Sequence, residues 1–233
     1  MIDIKNKKNI LIIIIIITVL VIITIFIIYK YYHKKERYID MPDYQVQEFD
    51  DFLTIEECNK IIELTEGNLV PSKVYTDNDD LINNTSRTSR QTWIKDLKDP
   101  LIKKISDKVS YIINIPNTEN NFYEDLQVVN YPEGGFFVPH YDPCDGDKQF
   151  CSRMNGSRGP RLLTFLIYLN DDFEGGETVF PLINKKIIPK KGKAVLFYNI
   201  GNDGRIIKQS LHTGKPVITG TKWIANKWVR INM

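Results

Sequence analysis

From Ile10 to Tyr29 the chain runs for twenty residues without a charge, interrupted only by Thr18 and Thr24. A helix of that length reaches about 30 Å, the thickness of the hydrocarbon core of a bilayer. Three structures could use such a segment: an uncleaved membrane anchor, a cleaved signal peptide or a buried soluble helix. A signal peptide has a shorter apolar region ending in small residues near its cleavage site, whereas here the bulky, basic run Tyr29-Lys30-Tyr31-Tyr32-His33-Lys34 follows. Six successive isoleucines, Ile12 to Ile17, do not suit a soluble surface helix. The expectation is a short tail over 1–9, a transmembrane anchor over 10–29 and a juxtamembrane linker over 30–43. Lys5, Lys7 and Lys8 on one flank nearly balance Lys30, Lys34 and Lys35 on the other, so the lysine and arginine asymmetry that sets orientation barely favours a side.

What remains of the 233 residues is enough for one sizeable domain, expected over 44–233. A formal net charge of +2 supplies no basic field for a nucleic acid, and no such partner is expected. Thr54 and Glu57 form a capping-box pattern, and Ile55, Cys58, Ile61 and Ile62 follow at helical spacing, predicting an amphipathic helix from Thr54 to about Glu66 with Cys58 buried. Pro100 to Ile113 alternates apolar and basic residues at helical intervals and should cover one side of a sheet. Between them, 68–92 is polar and reads either as a loop that closes over a site or as a solvated linker.

From Asp125 onward short runs rich in Val, Ile, Phe, Tyr and Trp alternate with glycine-containing turns. The expected strands are 127–131, 161–169, 177–180, 194–198, 209–212, 215–219 and 223–230, a density that indicates a β-sandwich or jelly roll. Cys144 and Cys151 are near enough to close a short loop, and Asn83, Asn84 and Asn155 head glycosylation tripeptides that matter only in a lumen.

His140 and Asp142 stand at i and i+2, which places imidazole and carboxylate on one face of an extended segment. His-x-Asp alone carries little weight, because hydrogen-bonded surface pairs share it. His212, seventy residues beyond Asp142, adds the second imidazole of a facial triad of the non-haem Fe(II) oxygenase kind. Three protein ligands leave three positions, two for a bidentate 2-oxo acid and one for O2. Lys222 opens an apolar strand, so its ammonium either faces solvent or points inward, where it needs a partner. The far carboxylate of 2-oxoglutarate would be that partner, and Tyr131 could add a hydroxyl donor.

These residues, together with Gln127-Val128-Val129-Asn130-Tyr131, Pro139-His140-Tyr141-Asp142, the run Arg161 to Asn170, Gly175-Gly176-Glu177-Thr178-Val179-Phe180-Pro181, Pro189 to Asn199 and Lys222 to Trp228, resemble the prolyl 4-hydroxylase family of 2-oxoglutarate dioxygenases. The likeness covers about 44–229 and is densest from Leu126 onward.

The resemblance implies a mainly β domain with flanking helices (α+β), a double-stranded β-helix whose core spans about 122–231. It implies Fe(II), 2-oxoglutarate, O2 and L-ascorbate, with iron on His140, Asp142 and His212 and 2-oxoglutarate on Lys222. Tyr131 and Thr178 look like supporting cosubstrate contacts. Arg161 and Trp228 resemble residues of the peptide groove, although one could be a surface ion-pair partner and the other a core aromatic. The implied reaction is hydroxylation of peptidyl proline, collagen-like peptides among the implied substrates, by a single-pass protein with its domain in the lumen of the endoplasmic reticulum. Phe137 and Arg230 depart from the family, standing where many relatives carry Tyr and His, and bear on peptide preference. Two other readings remain: a dioxygenase acting on another side chain or an alkylated base, and a tethered peptide-binding module without turnover.

Overall fold

The computed structural model describes residues 4–73, 86–95, 99–118, 121–146 and 148–231. Contacts divide the chain into two units, Met1–Ile39 and Asp40–Met233. The first is one helix, α1 (Ile4–Arg37). Its window Ile12–Tyr29 has a mean hydropathy of 3.4, and none of it is buried. The helix continues past the apolar run through Lys30 to Arg37, where a linker was expected, because nothing in that stretch breaks a helix.

In the second unit, α2 (Ile55–Thr65) begins at the expected capping box: the Thr54 hydroxyl accepts from the Glu57 backbone N–H at 3.2 Å, and the Glu57 carboxylate accepts from the Thr54 N–H at 2.9 Å. Helix α3 (Pro100–Ile113) has Asp99 as its N-cap and proline at its first position. It stops at Asn114, whose φ of 54° is left-handed. The strands that position the site are Gln47–Phe49 (β1), Arg90–Ile94 (β2), Asn121–Tyr123 (β3), Leu126–Tyr131 (β4), Phe137–His140 (β5), Arg161–Tyr168 (β6), Thr178–Phe180 (β7), Lys185–Ile187 (β8), Ala194–Tyr198 (β9), His212–Gly214 (β10) and Lys222–Ile231 (β11).

They form two antiparallel sheets. The larger runs β1-β9-β6-β11-β4-β2 and ends on Val70–Pro71, with β3 also paired to β11; the smaller runs β8-β7-β10-β5. Mainly β with flanking helices, the unit is consistent with a jelly roll.

Alternation divides the large sheet into two faces with different tasks. Leu163, Phe165 and Ile167 of β6, Val128 of β4 and Ala225 and Val229 of β11 join Cys58 and Ile61 of α2 and Ile102, Ile105 and Val109 of α3 in one core. The intervening residues, among them Thr164, Leu166, Lys222, Ile224, Asn226 and Trp228, take the opposite face. Both faces of β11 are covered, which is why nine of its ten residues are buried, including the polar Lys222, Asn226, Lys227 and Arg230.

Several expected boundaries move. Residues 208–210 form a 3-10 turn instead of a strand, and β10 starts at His212. The 68–92 stretch is not wholly loop, since Val70–Pro71 pairs with the start of β2. Residues 74–85, with Asn83 and Asn84, lie outside the described residues. Cys144 and Cys151 form a disulfide with Cα atoms 5.4 Å apart, and helix α4 (Lys148–Asn155), which no periodicity announced, carries Cys151.

Candidate active site

Antiparallel pairing of β5 with β10 sets His140 directly opposite His212, with ring centroids 4.3 Å apart. Asp142 follows just past the end of β5 in a bend, not within the extended segment expected of it. It nonetheless reaches the two rings: its Oδ1 lies 3.8 Å from His140 Nε2 and 3.9 Å from His212 Nε2. One ligand atom from each of the three residues falls within 4.8 Å of the others.

Every other polar atom of the trio is occupied. His140 Nδ1 lies 2.8 Å from the Val138 carbonyl oxygen, and His212 Nδ1 lies 3.0 Å from that of Ser210. A carbonyl only accepts, so each Nδ1 carries the proton and each Nε2 presents a lone pair. Asp142 Oδ2 accepts from the Thr164 hydroxyl at 2.5 Å and from Trp228 Nε1 at 3.1 Å, leaving Oδ1 for the space between the imidazoles. Asn199 Nδ2 donates to Thr164 Oγ1 at 2.9 Å and turns that hydroxyl proton toward Asp142.

Burial, with His212 beside it, pushes the His140 imidazole down to about 3. Burial would raise the Asp142 carboxyl, but His212, His140, Arg161 and the Thr164 hydrogen bond outweigh it and hold the group below its ordinary value. A neutral imidazole and an anionic carboxylate are the forms that bind a divalent cation. The donor set of two nitrogens and one oxygen, converging on one face, suits Fe(II).

A cavity of about 470 Å³ opens on this trio. At one end stands Lys222, 2 % exposed, across the ladder from Tyr131. Its ammonium therefore does not face solvent. Nζ donates to the Gly176 carbonyl at 2.6 Å, and no carboxylate pairs with it among the described residues. Burial brings it down to about 7, with Glu177 only partly opposing the shift. Gly176 sits at a φ of +64°, and a Cβ there would come within 3.1 Å of the Lys222 stem, so the glycine both makes the turn and leaves room for the lysine. Tyr131 and Thr178 also line this end, where the Thr178 hydroxyl accepts from Tyr168 at 2.7 Å.

Arg161 and Trp228 line the other end. The Arg161 guanidinium lies 3.4 Å over the Trp228 ring and grips Glu124 with two bonds, of 2.7 and 3.0 Å. Glu124 is 6 % exposed and also accepts from Arg230 Nε at 2.6 Å, so Arg161 belongs to a buried network rather than to a surface pair. Trp228, though buried, is more than a core aromatic, since its indole N–H holds Asp142. Sequence reading missed Thr164, Asn199 and Glu124. Thr164 is polar among apolar neighbours on the cavity face of β6, which is the signal that could have marked it.

Residues 126–230 match the 2OG-Fe(II) oxygenase superfamily. A protein of Acanthamoeba polyphaga mimivirus, provisionally named a prolyl 4-hydroxylase, is 38 % identical over 75 % of this chain and 69 % of its own length. Prolyl 4-hydroxylase 2 of Arabidopsis thaliana is 38 % identical over 79 % of this chain and 66 % of its own. For the alpha-2 subunit of the Gallus gallus enzyme the identity is 34 %, and this chain spans only 35 % of that subunit's length. Among solved structures, the viral collagen prolyl hydroxylase of Paramecium bursaria Chlorella virus-1, determined with 2OG, superposes with a TM-score of 0.64 at 32 % identity, covering 80 % of this chain and 96 % of that one. Converging donors, the Lys222 cavity and these likenesses along the catalytic unit agree: the chain belongs to the prolyl 4-hydroxylase family of Fe(II)- and 2-oxoglutarate-dependent oxygenases.

Proposed function

We propose that this chain hydroxylates peptidyl proline to 4-hydroxyproline, consuming O2 and 2-oxoglutarate and releasing succinate and CO2. One observation carries the reading: a single cavity joins His140, Asp142 and His212 to a buried, carboxylate-free Lys222 on one side and to an aromatic and guanidinium wall, Trp228 with Arg161, on the other. Bound iron and cosubstrate would supply the oxidising chemistry, one oxygen atom of O2 entering succinate and the other the proline ring. The protein's residues bind and orient. His140, Asp142 and His212 would hold the metal, and Lys222, with Tyr131 and Thr178, the distal carboxylate of 2-oxoglutarate. Trp228 offers an aromatic face suited to a proline ring. L-ascorbate, typical of the family, would return iron oxidised in unproductive turnovers to the ferrous state. Incubation of proline-containing peptides with Fe(II), 2-oxoglutarate and ascorbate, read by mass spectrometry and succinate release, tests this. Succinate formed only with substrates that lack proline would overturn it.

Two further expectations follow from the site. Trp228→Phe keeps a ring against Trp93 but removes the donor to Asp142 Oδ2, and should weaken metal binding or turnover about 10- to 100-fold. Metal titration of the folded variant measures it. Lys222 must be charged to hold a carboxylate, yet the free cavity holds it near 7. The sign follows: below that value the lysine is already protonated, and above it binding must take up a proton. Affinity for 2-oxoglutarate, measured calorimetrically with Mn(II) in place of iron, should therefore fall with rising pH, by at most about tenfold per unit.

The apolar stretch Ile12–Tyr29 supports an uncleaved anchor with the catalytic unit in a secretory lumen, and the Cys144–Cys151 disulfide favours that oxidising side. Protease treatment of sealed vesicles should spare the catalytic unit; digestion without detergent would place it on the other side. Asn155 is half-buried and its side chain accepts from Arg230, which makes it a poor glycan acceptor.

A further inference from the structure

Charge is not balanced around the part of the cavity that a peptide must enter. Beside Asp142, Arg161 and Arg230 share one carboxylate, Glu124, while the other hydrogen-bond partners of Arg230, the Gly159 carbonyl at 2.7 Å and the Asn155 amide oxygen at 3.3 Å, are neutral. Beside His140, whose ring is stacked on Phe137 at 3.5 Å, stands Arg87, only 9 % exposed. Its guanidinium lies 4.8 Å over Phe137, and its Nε donates to the Ser89 hydroxyl at 2.8 Å. No carboxylate pairs with it among the described residues, and it lines the cavity.

With Asp142 assigned to the metal and Lys222 to the cosubstrate, the cations still lining the cavity among the described residues are Lys73, Arg87, Arg161 and Arg230. Against them stand Asp145, on the lining, and Glu124, behind it. Among the described residues two positive charges are left over. A docked peptide strips water from these guanidinium groups, which is costly unless it brings counter-charge. Complementary charge at such a wall governs which partner is accepted and how fast.

We propose that the preferred substrate is an acidic peptide, with Asp or Glu flanking the target proline. Arg230 together with Arg161 receives one carboxylate beside Asp142, and Arg87 receives the other beside His140. The inference rests on the proline-hydroxylation reading and narrows it to a substrate class.

The test uses the full chain in detergent and a set of equal-length, single-proline peptides carrying Glu, Gln or Lys on both sides of the proline. Hydroxyproline is quantified by mass spectrometry, and affinity by fluorescence anisotropy of the labelled peptides with no iron added. The Glu peptide should exceed the Gln peptide about tenfold in kcat/KM, chiefly through KM, and should bind tighter by a similar factor. The Lys peptide should be poorest, and the advantage of Glu should shrink as salt is raised. Arg230→Gln and Arg87→Gln should each narrow the Glu-to-Gln ratio in KM. Because Arg230 also braces Glu124 and Gly159, the Arg87 variant and the salt series stand independently of its folding. Equal values for Glu and Gln, or preference for Lys, with proline hydroxylated throughout, would overturn the charge inference and leave the activity standing. Consumption of 2-oxoglutarate with no peptide hydroxylated would remove the proline reading and this inference with it.

Discussion

A chain carrying Asp142→Asn is expected to retain its fold and lose turnover by about a thousandfold, because a bound metal contributes several kcal/mol of charge stabilisation and about 1.4 kcal/mol corresponds to a factor of ten. The amide preserves the shape of the carboxylate, and its oxygen can still accept from Thr164 and Trp228. What disappears is the anion facing the two imidazole lone pairs, the only negative charge in the cluster. Two neutral nitrogens hold Fe(II) poorly without it. Succinate release measures the loss, and titration with Fe(II) or Co(II) shows whether it arises at metal binding. Turnover within about tenfold of the parent would remove Asp142 from the proposed ligand set.

The second large effect concerns Lys222 and has two parts of opposite sign. Lys222→Met should raise the dissociation constant for 2-oxoglutarate by about a hundredfold or more, as truncating one partner of a buried charge pair costs about 2–5 kcal/mol. The ligand-free protein should melt at a higher temperature than the parent. The Lys222 ammonium is buried with a single carbonyl acceptor and, among the described residues, no paired carboxylate, and an apolar side chain of similar length relieves that desolvation. A purely structural lysine would give the reverse, a lower melting point and little change in cosubstrate affinity. Calorimetric titration and thermal melts, with and without 2-oxoglutarate, separate the two.

Local signals were legible wherever the physics is local. Helix α3 begins and ends at the residues read from sequence because Asp99, Pro100 and Asn114 mark it within the chain itself. Strand β9 was likewise read to the residue from its apolar run Ala194 to Tyr198. Strand β5 was not, although it carries His140: it is short, half-exposed and contains Pro139, and it is a strand because β10 pairs with it from more than seventy residues away. The first half of the expected 209–212 strand lies instead in the 208–210 turn for a related reason. The Leu211 N–H bonds back to the Lys208 carbonyl, and the Ser210 carbonyl is committed to the His212 ring, so these backbone groups are not free for a ladder.

The site divides in the same way. His140, Asp142 and His212 could be grouped from residue type and spacing, because few side chains can do their chemistry, whereas Lys222 is singled out by the family resemblance, its type and position alone leaving it facing either solvent or the interior. Glu124 could not. Its importance comes from two arginines on different strands, Arg161 and Arg230, which lie 37 and 106 residues away and meet it only in the folded sheet. Thr164 on β6 and Asn199 just past the end of β9, aligned behind Asp142, are invisible for the same reason.

That alignment has a consequence for coordination. With Oδ2 tethered by a hydroxyl and an indole, Asp142 would attach to a bound ion through Oδ1 alone, in monodentate fashion. A carboxylate released from both donors would be free to chelate the ion and take up a further coordination position. With a metal bound, Thr164 and Trp228 would thus act as spacers that keep coordination positions open for a keto acid and O2, and a fold that lost them would keep its ligands while crowding out its reactants.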